Sequence, residues 1–556
     1  MSIRPTGGGG VAAPERVPDD RAQQDGAGGR TASWPTALAG RWLLAAEIGI
    51  VAVVAAGLVL RFWTRSALWL DEALTVDIAR LPLHDLPSYL KRDGAPPLYY
   101  VLLHFWMKPF GDGDLAVRSL SGVLSVLTLP VVWVVGRRLG GRTVGWVSLA
   151  VLASAPFAVY YATEARMYSL VMFLTACGAW AVSRALERPR WGNLVAVGVV
   201  VAALLYTQYW AIYLVGAFAL WLIWQSWRGH VRSANARWAL LATVVGCLAF
   251  VPWLPTFVYQ SRYTGTPWAG VPTYAAIINA ITGFTDNQAS LVATGSNQGR
   301  LLALGYFALA GLGLFGAARG RFHIDLDIRT RPQGRALAFV VVVTLAAAIT
   351  GGILSKSAFS ARYAAVVFVP LLVLLAIGTV TFADARIRAA VVAVVVAAGL
   401  ASSIPNVDTQ RTQAPAVAAV LAAHAKPGDV VAYCPDQLGP ATYRLTATAG
   451  YRQVTFPRGT GPAYVDWVDY KQAAKAATAR AFARKLEGMA GHDHDVWLVS
   501  APGYQGFGVK CQMLAADLLA ARDAAGQPWG GHQWVNGNPG RYYEPMNLTQ
   551  FAPPPA

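Results

Sequence analysis

Trp69-Leu70-Asp71-Glu72 sets two carboxylates side by side just beyond the first long apolar run, residues 42–63. If that run crosses a bilayer, the pair lies at its surface. Ionisable residues are expensive there and are as a rule paired or used. The chemistry open to Asp71 and Glu72 is general-base catalysis. Glycosyl transfer to a hydroxyl needs a carboxylate that accepts the proton as the C–O bond forms. The other reading is a pair of loop carboxylates neutralised by Arg61 or Arg65. Asp93 precedes Gly94-Ala95-Pro96-Pro97-Leu98-Tyr99-Tyr100. It either hydrogen-bonds a sugar or orients an acceptor, or it is a charge at a helix N-terminus that suits the helix dipole. Glu164 and Arg166, in Tyr160-Tyr161-Ala162-Thr163-Glu164-Ala165-Arg166-Met167-Tyr168, stand between two apolar runs with no soluble loop around them. Arg166 then faces a phosphate or braces the carboxylate loop, or the two charges form an ion pair that closes the turn. Arg362, beside Tyr363, opens another apolar run. Its planar fork suits phosphate oxygens, or its side chain snorkels to the interface. Arg118 is open to the same two readings. His104 lies in an aromatic stretch with no second histidine nearby, so it reads as a packing or hydrogen-bonding residue.

The elements that must hold these residues are membrane helices. Hydrophobic residues make up 55% of the 556 and charged residues only 13%, about half the charge of a soluble protein. Mean hydropathy is +0.40. A net charge of +17 would by itself suggest nucleic acid. The arginines, however, cluster in short stretches between apolar runs, at 137–142, 184–190, 228–237, 319–335 and 386–388. That is the positive-inside pattern, so no nucleic-acid partner is assigned. Runs long enough to span fall near 42–62, 119–136, 143–161, 168–184, 193–209, 211–226, 238–257, 300–318, 336–354, 362–381 and 387–404. With the N-terminus inside, all the Arg-rich loops fall inside. The segment 63–118 and everything from 405 then lie outside. Residues 1–40, rich in Gly, Pro, Ala, Asp and Arg, read as a disordered cytoplasmic tail, and no signal peptide fits. The Pro-Pro start and aromatic content of 96–106 predict a helix lying in the headgroup layer. Glycines within the spans read as helix-packing contacts.

Residues 405–556 change character, with Lys, Asp, Gln and Asn appearing. The stretches 428–433 and 495–500 read as strands, and 471–488 and 511–525 have helical spacing. The fold class expected is therefore an all-α polytopic membrane protein of about eleven spans with a small extracytoplasmic α/β domain. Cys434 and Cys511 fall in that domain, where they either pair in an oxidising exterior or stay as two buried thiols. Cys177 and Cys247 lie in spans and read as packing residues. No Walker loop, dinucleotide glycine motif, CxxC or metal-spaced His cluster occurs. No cofactor is required on this reading, and no ligand spacing supports a divalent metal.

Leu68-Trp69-Leu70-Asp71-Glu72-Ala73, Asp93-Gly94-Ala95-Pro96-Pro97-Leu98-Tyr99-Tyr100, Glu164-Ala165-Arg166-Met167-Tyr168, Pro252-Trp253-Leu254-Pro255 and Ala361-Arg362-Tyr363 occur in this order. Together they resemble the GT-C superfamily of integral-membrane glycosyltransferases, in the branch of the protein O-mannosyltransferases and the lipid A aminoarabinose transferase. The resemblance covers residues 40 to about 404. It implies a polyprenyl-phosphate sugar donor, of mannose or arabinose type, and transfer with inversion on the outer face of the cell membrane. The acceptor is a cell-envelope glycan, lipid or protein. By motif match the catalytic carboxylate is Asp71, supported by Glu72. Asp93, Tyr99, Glu164, Arg166, Tyr168, Arg362 and Arg118 are the substrate-binding candidates, with an arginine at the outer face on the donor phosphate. The tail beyond 405 departs from the better-known members. Two rival functions remain open at this level, a flippase for a lipid-linked sugar and a non-catalytic envelope scaffold.

Overall fold

The computed structural model describes residues 36–228, 231–264, 273–285, 297–320, 323–327, 329, 331–355, 359–501, 507, 509–522 and 531–553. Most of the expected N-terminal tail, residues 1–35, lies outside them. The chain divides after Val51, and the site and the carboxyl-terminal domain both belong to the unit from Ala52 onward.

Helix α1 (Thr36–Leu60) leads into three helices, α2 (Leu70–Ala79), α3 (Leu86–Asp93) and α4 (Leu98–Phe110). Then come α5 (Asp114–Ser154), α6 (Pro156–Ala162), α7 (Tyr168–Glu187), α8 (Trp191–Leu205), α9 (Ala211–Trp227), α10 (Val231–Leu248), α11 (Leu254–Tyr263), α12 (Tyr274–Thr282) and α13 (Asn297–Phe315). A short antiparallel hairpin, β1 (Gly316–Ala318) and β2 (Ile324–Leu326), precedes α14 (Pro332–Ser355), α15 (Ala365–Thr379) and α16 (Ala385–Ser403). Each of the eleven apolar runs is largely helical. Among the described residues, five helical stretches are individually long and apolar enough to cross a bilayer: Asp114–Ser154, Tyr168–Glu187, Ser233–Tyr263, Pro332–Ser355 and Ala385–Val407. The first is two arms rather than one rod. A straight helix of 41 residues would be about 60 Å long, twice the hydrocarbon core. Gly141, at φ +87°, breaks it, and the arms fold back so that Trp133 and Trp146 meet with ring centroids 5.6 Å apart.

Helix α15 is apolar on all sides and buried along its whole length, as a helix at the centre of a bundle must be. Its approach to α13 leaves no room for side chains: a Cβ on Gly378 would lie 1.8 Å from the Leu309 carbonyl oxygen. This is the packing role expected of glycines in the spans. The turn just ahead of α15 carries Arg362, so the most deeply packed helix of the bundle anchors that guanidinium.

The carboxyl-terminal domain runs α17 (Ala414–His424), β3 (Val430–Cys434), α18 (Gly439–Thr446), β4 (Arg452–Thr455), α19 (Tyr470–Ala476), α20 (Ala479–Ala490), β5 (Val496–Ser500), α21 (Lys510–Arg522), β6 (His532–Val535) and β7 (Asn547–Phe551). The strand order is β4-β3-β5-β7-β6. Strand β3 runs parallel to β4 and β5, and β7 antiparallel to β5 and β6. Strand β3 is buried throughout and β5 nearly so. Both faces of these strands are covered, hence the unbroken apolar runs that made them readable. The helix expected over 471–488 breaks at Ala477-Thr478. The Lys510 ammonium reaches in and donates to the carbonyls of Ala474, Lys475 and Ala477 at 2.5, 2.8 and 2.8 Å, satisfying the end of α19 with a cation. Cys434 and Cys511 form a disulfide, with their Cα atoms 5.6 Å apart.

Asp436 follows β3 and is 2% exposed. It accepts a hydrogen bond from the Tyr470 hydroxyl at 2.5 Å. Burial pushes its carboxyl up to about 7, only partly offset by Tyr470 and Arg458. Between about pH 4 and 7 such a carboxyl holds its proton in the folded state and has lost it in the unfolded chain. Its contribution to stability is complete below about pH 4 and declines up to pH 7. Asp436→Asn is expected to remove that decline. The unfolding free energy of the variant relative to wild type should rise between pH 4 and 7, by an amount on the order of a few kcal/mol, and stay level above. Denaturant titrations of the two proteins at several pH values measure it, and parallel pH profiles would contradict it.

Candidate active site

Helix α2 carries both acids, and nine of its ten residues are buried. Neighbouring residues on a helix point about 100° apart, so adjacent carboxylates diverge. The Glu72 side chain faces inward with no exposure, while that of Asp71 stays 18% exposed.

Glu72 sits in a closed box. Arg118 grips it with two parallel bonds, Nε to Oε1 at 2.7 Å and Nη2 to Oε2 at 2.5 Å. The Ala165 N–H donates to Oε1 at 2.8 Å, and Arg411 Nη1 lies 3.7 Å from Oε2. Burial pushes the carboxyl up, but the Arg118 guanidinium, Arg411 and the Ala165 amide prevail and hold it below its ordinary range. Arg118 uses its remaining donors on the Ser66 and Ala67 carbonyls. Arg411 donates to the carbonyl and hydroxyl of Thr163 at 2.8 and 2.7 Å and lies 4.4 Å over the Tyr160 ring. Nothing in the sequence singled out Arg411, which stands in a polar stretch after the last span.

Asp71 faces a different pair. Arg362 Nη1 lies 3.0 Å from its Oδ2, and Arg166 Nη2 lies 3.9 Å from the same oxygen. Arg166 also donates to the Thr75 hydroxyl at 2.8 Å and to the Tyr100 hydroxyl at 3.4 Å. Tyr100 in turn donates to Asp93 Oδ2 at 2.7 Å. Asp93 closes α3 rather than opening a helix. Burial raises its carboxyl, against the pull of Arg166 and Tyr100. Tyr99 is buried and shares a 2.8 Å hydrogen bond with Ser121. Tyr168 packs on Tyr161 with centroids 4.6 Å apart, and its hydroxyl has no hydrogen-bond partner among the described residues. Arg166 turns to Asp71, and no ion pair joins it to Glu164 among the described residues. Glu164 is 1% exposed, its Oε2 has no hydrogen-bond partner among the described residues, and burial lifts its carboxyl to about 7.

Neither arginine considered as a neutralising partner serves the acidic pair. Arg61 donates to the Gly57, Leu152 and Ala153 carbonyls and the Ser125 hydroxyl, and Arg65 pairs with Asp408 at 2.8 Å. These two arginines, with Arg118 and Gln410, line a cavity of about 420 Å³ that does not include Asp71. The N–H groups of Arg61 and Arg118 are largely committed to protein acceptors. His104 Nδ1 lies 2.8 Å from the Ala79 carbonyl oxygen, the hydrogen-bonding role expected of it.

The carboxyl-terminal domain packs directly on the 63–118 segment. The Trp467 backbone N–H donates to the Arg92 carbonyl at 3.2 Å, and the ring centroids of Tyr89 and Tyr464 lie 4.7 Å apart. The Tyr543 ring meets Trp69 edge-on at 4.9 Å. With Arg411, residues from beyond position 405 thus reach the acidic pair.

Residues 94–255 match the family model described as dolichyl-phosphate-mannose-protein mannosyltransferase. No curated protein matches the chain. The crystal structure of ArnT from Cupriavidus metallidurans bound to undecaprenyl phosphate superposes with a TM-score of 0.50 at 14% identity, over 91% of this chain and 97% of that one. The Archaeoglobus fulgidus oligosaccharyltransferase tethered with an acceptor peptide superposes with a TM-score of 0.49 at 10% identity, over 84% and 72%. The chain is a polytopic membrane protein with the fold of the GT-C integral-membrane glycosyltransferases, and its residues 94–255 resemble the mannosyltransferase family.

Proposed function

We propose that this site transfers a sugar from a polyprenyl-phosphate donor to an extracytoplasmic acceptor, with Asp71 as general base. The observation that carries the reading is the convergence of Arg362 and Arg166 on one oxygen of the more exposed acid. Four guanidiniums, those of Arg118, Arg166, Arg362 and Arg411, crowd a space where Glu72 neutralises Arg118. Burial leaves much of Glu164 protonated near neutral pH. The surplus is positive and suits a phosphate, which Arg362 would take in its planar fork. A phosphate that draws Arg362 and Arg166 to itself frees the Asp71 carboxylate. The acceptor oxygen then attacks the anomeric carbon, its proton passes to Asp71, and the C1–O bond to phosphate breaks on the opposite face, which inverts the centre. Polyprenyl phosphate leaves, its charge held by the arginines. The ArnT structure holds undecaprenyl phosphate, and a donor of that kind places its chain among the helices and its phosphate at the interface. Mannose-type and arabinose-type sugars are the first candidates.

In this scheme Glu72 and Arg118 form the clamp that seats α2, Arg166 and Arg362 bind phosphate, and Asp93, Tyr99, Glu164 and Tyr168 shape the sugar pocket. The Arg-rich loops put the N-terminus in the cytoplasm, and the Cys434–Cys511 disulfide suits an oxidising exterior for the carboxyl-terminal domain. The test is to incubate purified protein with a panel of polyprenyl-phosphate sugars and a membrane extract and identify products by mass spectrometry. A new glycosidic bond is expected with one donor class. Movement of labelled lipid with no new bond would replace the transferase with a flippase, and no donor consumption at all would favour a scaffold.

A further inference from the structure

Pro252-Trp253-Leu254-Pro255 leads into α11 and carries no ionisable group that could serve the transfer step. What it brings into place is an amide. Gln260 is the buried residue of α11, 2% exposed, while Leu254, Val258 and Tyr263 stay exposed. A buried amide needs partners, and Gln260 has them on both ends. Its Oε1 accepts from the Tyr209 hydroxyl, whose oxygen accepts from the Trp253 indole N–H at 3.0 Å. Its Nε2 donates to the Leu90 carbonyl at 2.7 Å and, more weakly, to the Ala95 carbonyl at 3.4 Å. Leu90 precedes Asp93 and Ala95 follows it, so one amide clasps the chain on both sides of that acid. The clasped stretch is a tight turn: the Gly94 N–H donates to the same Leu90 carbonyl at 2.8 Å, with Gly94 at φ +86°. The end of α11 lies against this turn, since a Cβ on Gly94 would come 2.9 Å from the Thr264 hydroxyl oxygen.

We propose that Gln260 is a positioning residue for Asp93: the chain of bonds from Trp253 through Tyr209 to Gln260 fixes the turn after α3 and, with it, the direction of the Asp93 carboxylate. The inference rests on the reading that places Asp93 in the sugar pocket. Helix α3 has eight residues, the last of them Asp93, and so short a helix does not hold its own end. Its last carbonyls have no partner within it, and Gln260 meets one of them. The consequence reaches the acidic pair. Asp93 accepts the Tyr100 hydroxyl at 2.7 Å, and Arg166 donates to that same hydroxyl at 3.4 Å. A shift of Asp93 is therefore felt by the guanidinium beside Asp71. An apolar side chain of the same length would fill the space at position 260 and hold neither carbonyl.

The test is Gln260→Met in the full-length protein, alone and combined with Asp93→Asn. Gln260→Met is expected to lower kcat/KM for the polyprenyl-phosphate sugar about 10- to 100-fold, the scale of a small misalignment of reacting groups. In the Asp93→Asn background the same change should cost no more than about twofold, because a residue that acts through Asp93 has nothing left to position. A residue that only braces the fold would lower the rate by the same factor in both backgrounds. Hydrogen exchange gives a readout that needs no activity. The amides of residues 91–95 should exchange faster in Gln260→Met, while β3 and β5 stay unchanged. Should Gln260→Met fail to accumulate, Tyr209→Phe takes its place. It removes one hydroxyl from the chain of bonds and is expected to shift rate and exchange in the same direction by smaller amounts. If wild type itself transfers no sugar, the functional reading fails and the exchange result alone decides whether Gln260 holds the turn. Unchanged exchange at 91–95 would overturn the proposal, and so would a loss of rate that is undiminished when Asp93 is already Asn.

Discussion

Asp71→Asn is expected to leave the protein folded and inserted while lowering sugar transfer by about 10²- to 10⁴-fold, the span of positioned general bases. Asparagine has nearly the same shape and keeps an oxygen for Arg362, now 3.0 Å from Oδ2, but it cannot take the acceptor's proton at neutral pH. Asp71 is the residue of α2 that is not buried, so the new amide keeps access to water. The measurement is product formation at saturating donor, beside the elution profile and thermal midpoint in detergent. Donor affinity should hold or rise, since Arg362 and Arg166 lose a competing anion. Turnover near the wild-type rate would remove Asp71 from the chemistry.

Glu72, one residue along, is expected to behave in the opposite way. Glu72→Gln leaves Arg118, 5% exposed at its side chain, and Arg411, 2% exposed, without their anion. Removing one partner of a buried ion pair costs about 3–5 kcal/mol, a large part of a typical total stability of about 5–15 kcal/mol. The variant should accumulate poorly and melt well below wild type, and activity should be lost along with folded protein. Adding Arg118→Met should recover part of the yield, because one uncompensated guanidinium is gone. If Glu72→Gln instead yields normal amounts of inactive protein, the box around Glu72 is catalytic rather than structural. On the proposed reading the two neighbouring acids separate into one that acts and one that holds.

That separation was not legible in the chain. The dipeptide Asp71-Glu72 was visible, as were the eleven apolar runs, the Pro-started helix near 98 and the two buried strands of the carboxyl-terminal domain. All of these follow from hydropathy or its period over short windows. Strands β4 and β7 gave no such signal. Strand β4 is a four-residue edge strand that begins with an exposed arginine. Strand β7 reads Asn547-Leu548-Thr549-Gln550-Phe551, with two polar side chains adjacent within it, which breaks the alternation that marks a half-buried strand. Helix α2 escaped notice for the reverse reason. Nearly all of it is buried, polar residues included: Glu72, Thr75 and Asp77 are packed inside with the apolar ones, so polarity along the chain marks no solvent face.

Local patterns were enough to give the membrane class, the succession of helices and the residue types of the site, because burial and helix length are written in short windows of the chain. Which arginine meets which acid was settled by the tertiary structure alone. Arg118 lies 46 positions from Glu72, and Arg362 lies 291 from Asp71. The same holds for Arg411, which comes from beyond the last span and reaches Glu72. Charges so far apart are matched by where helices cross and where a domain docks, and that geometry comes from the packing of the whole chain rather than from any stretch of it.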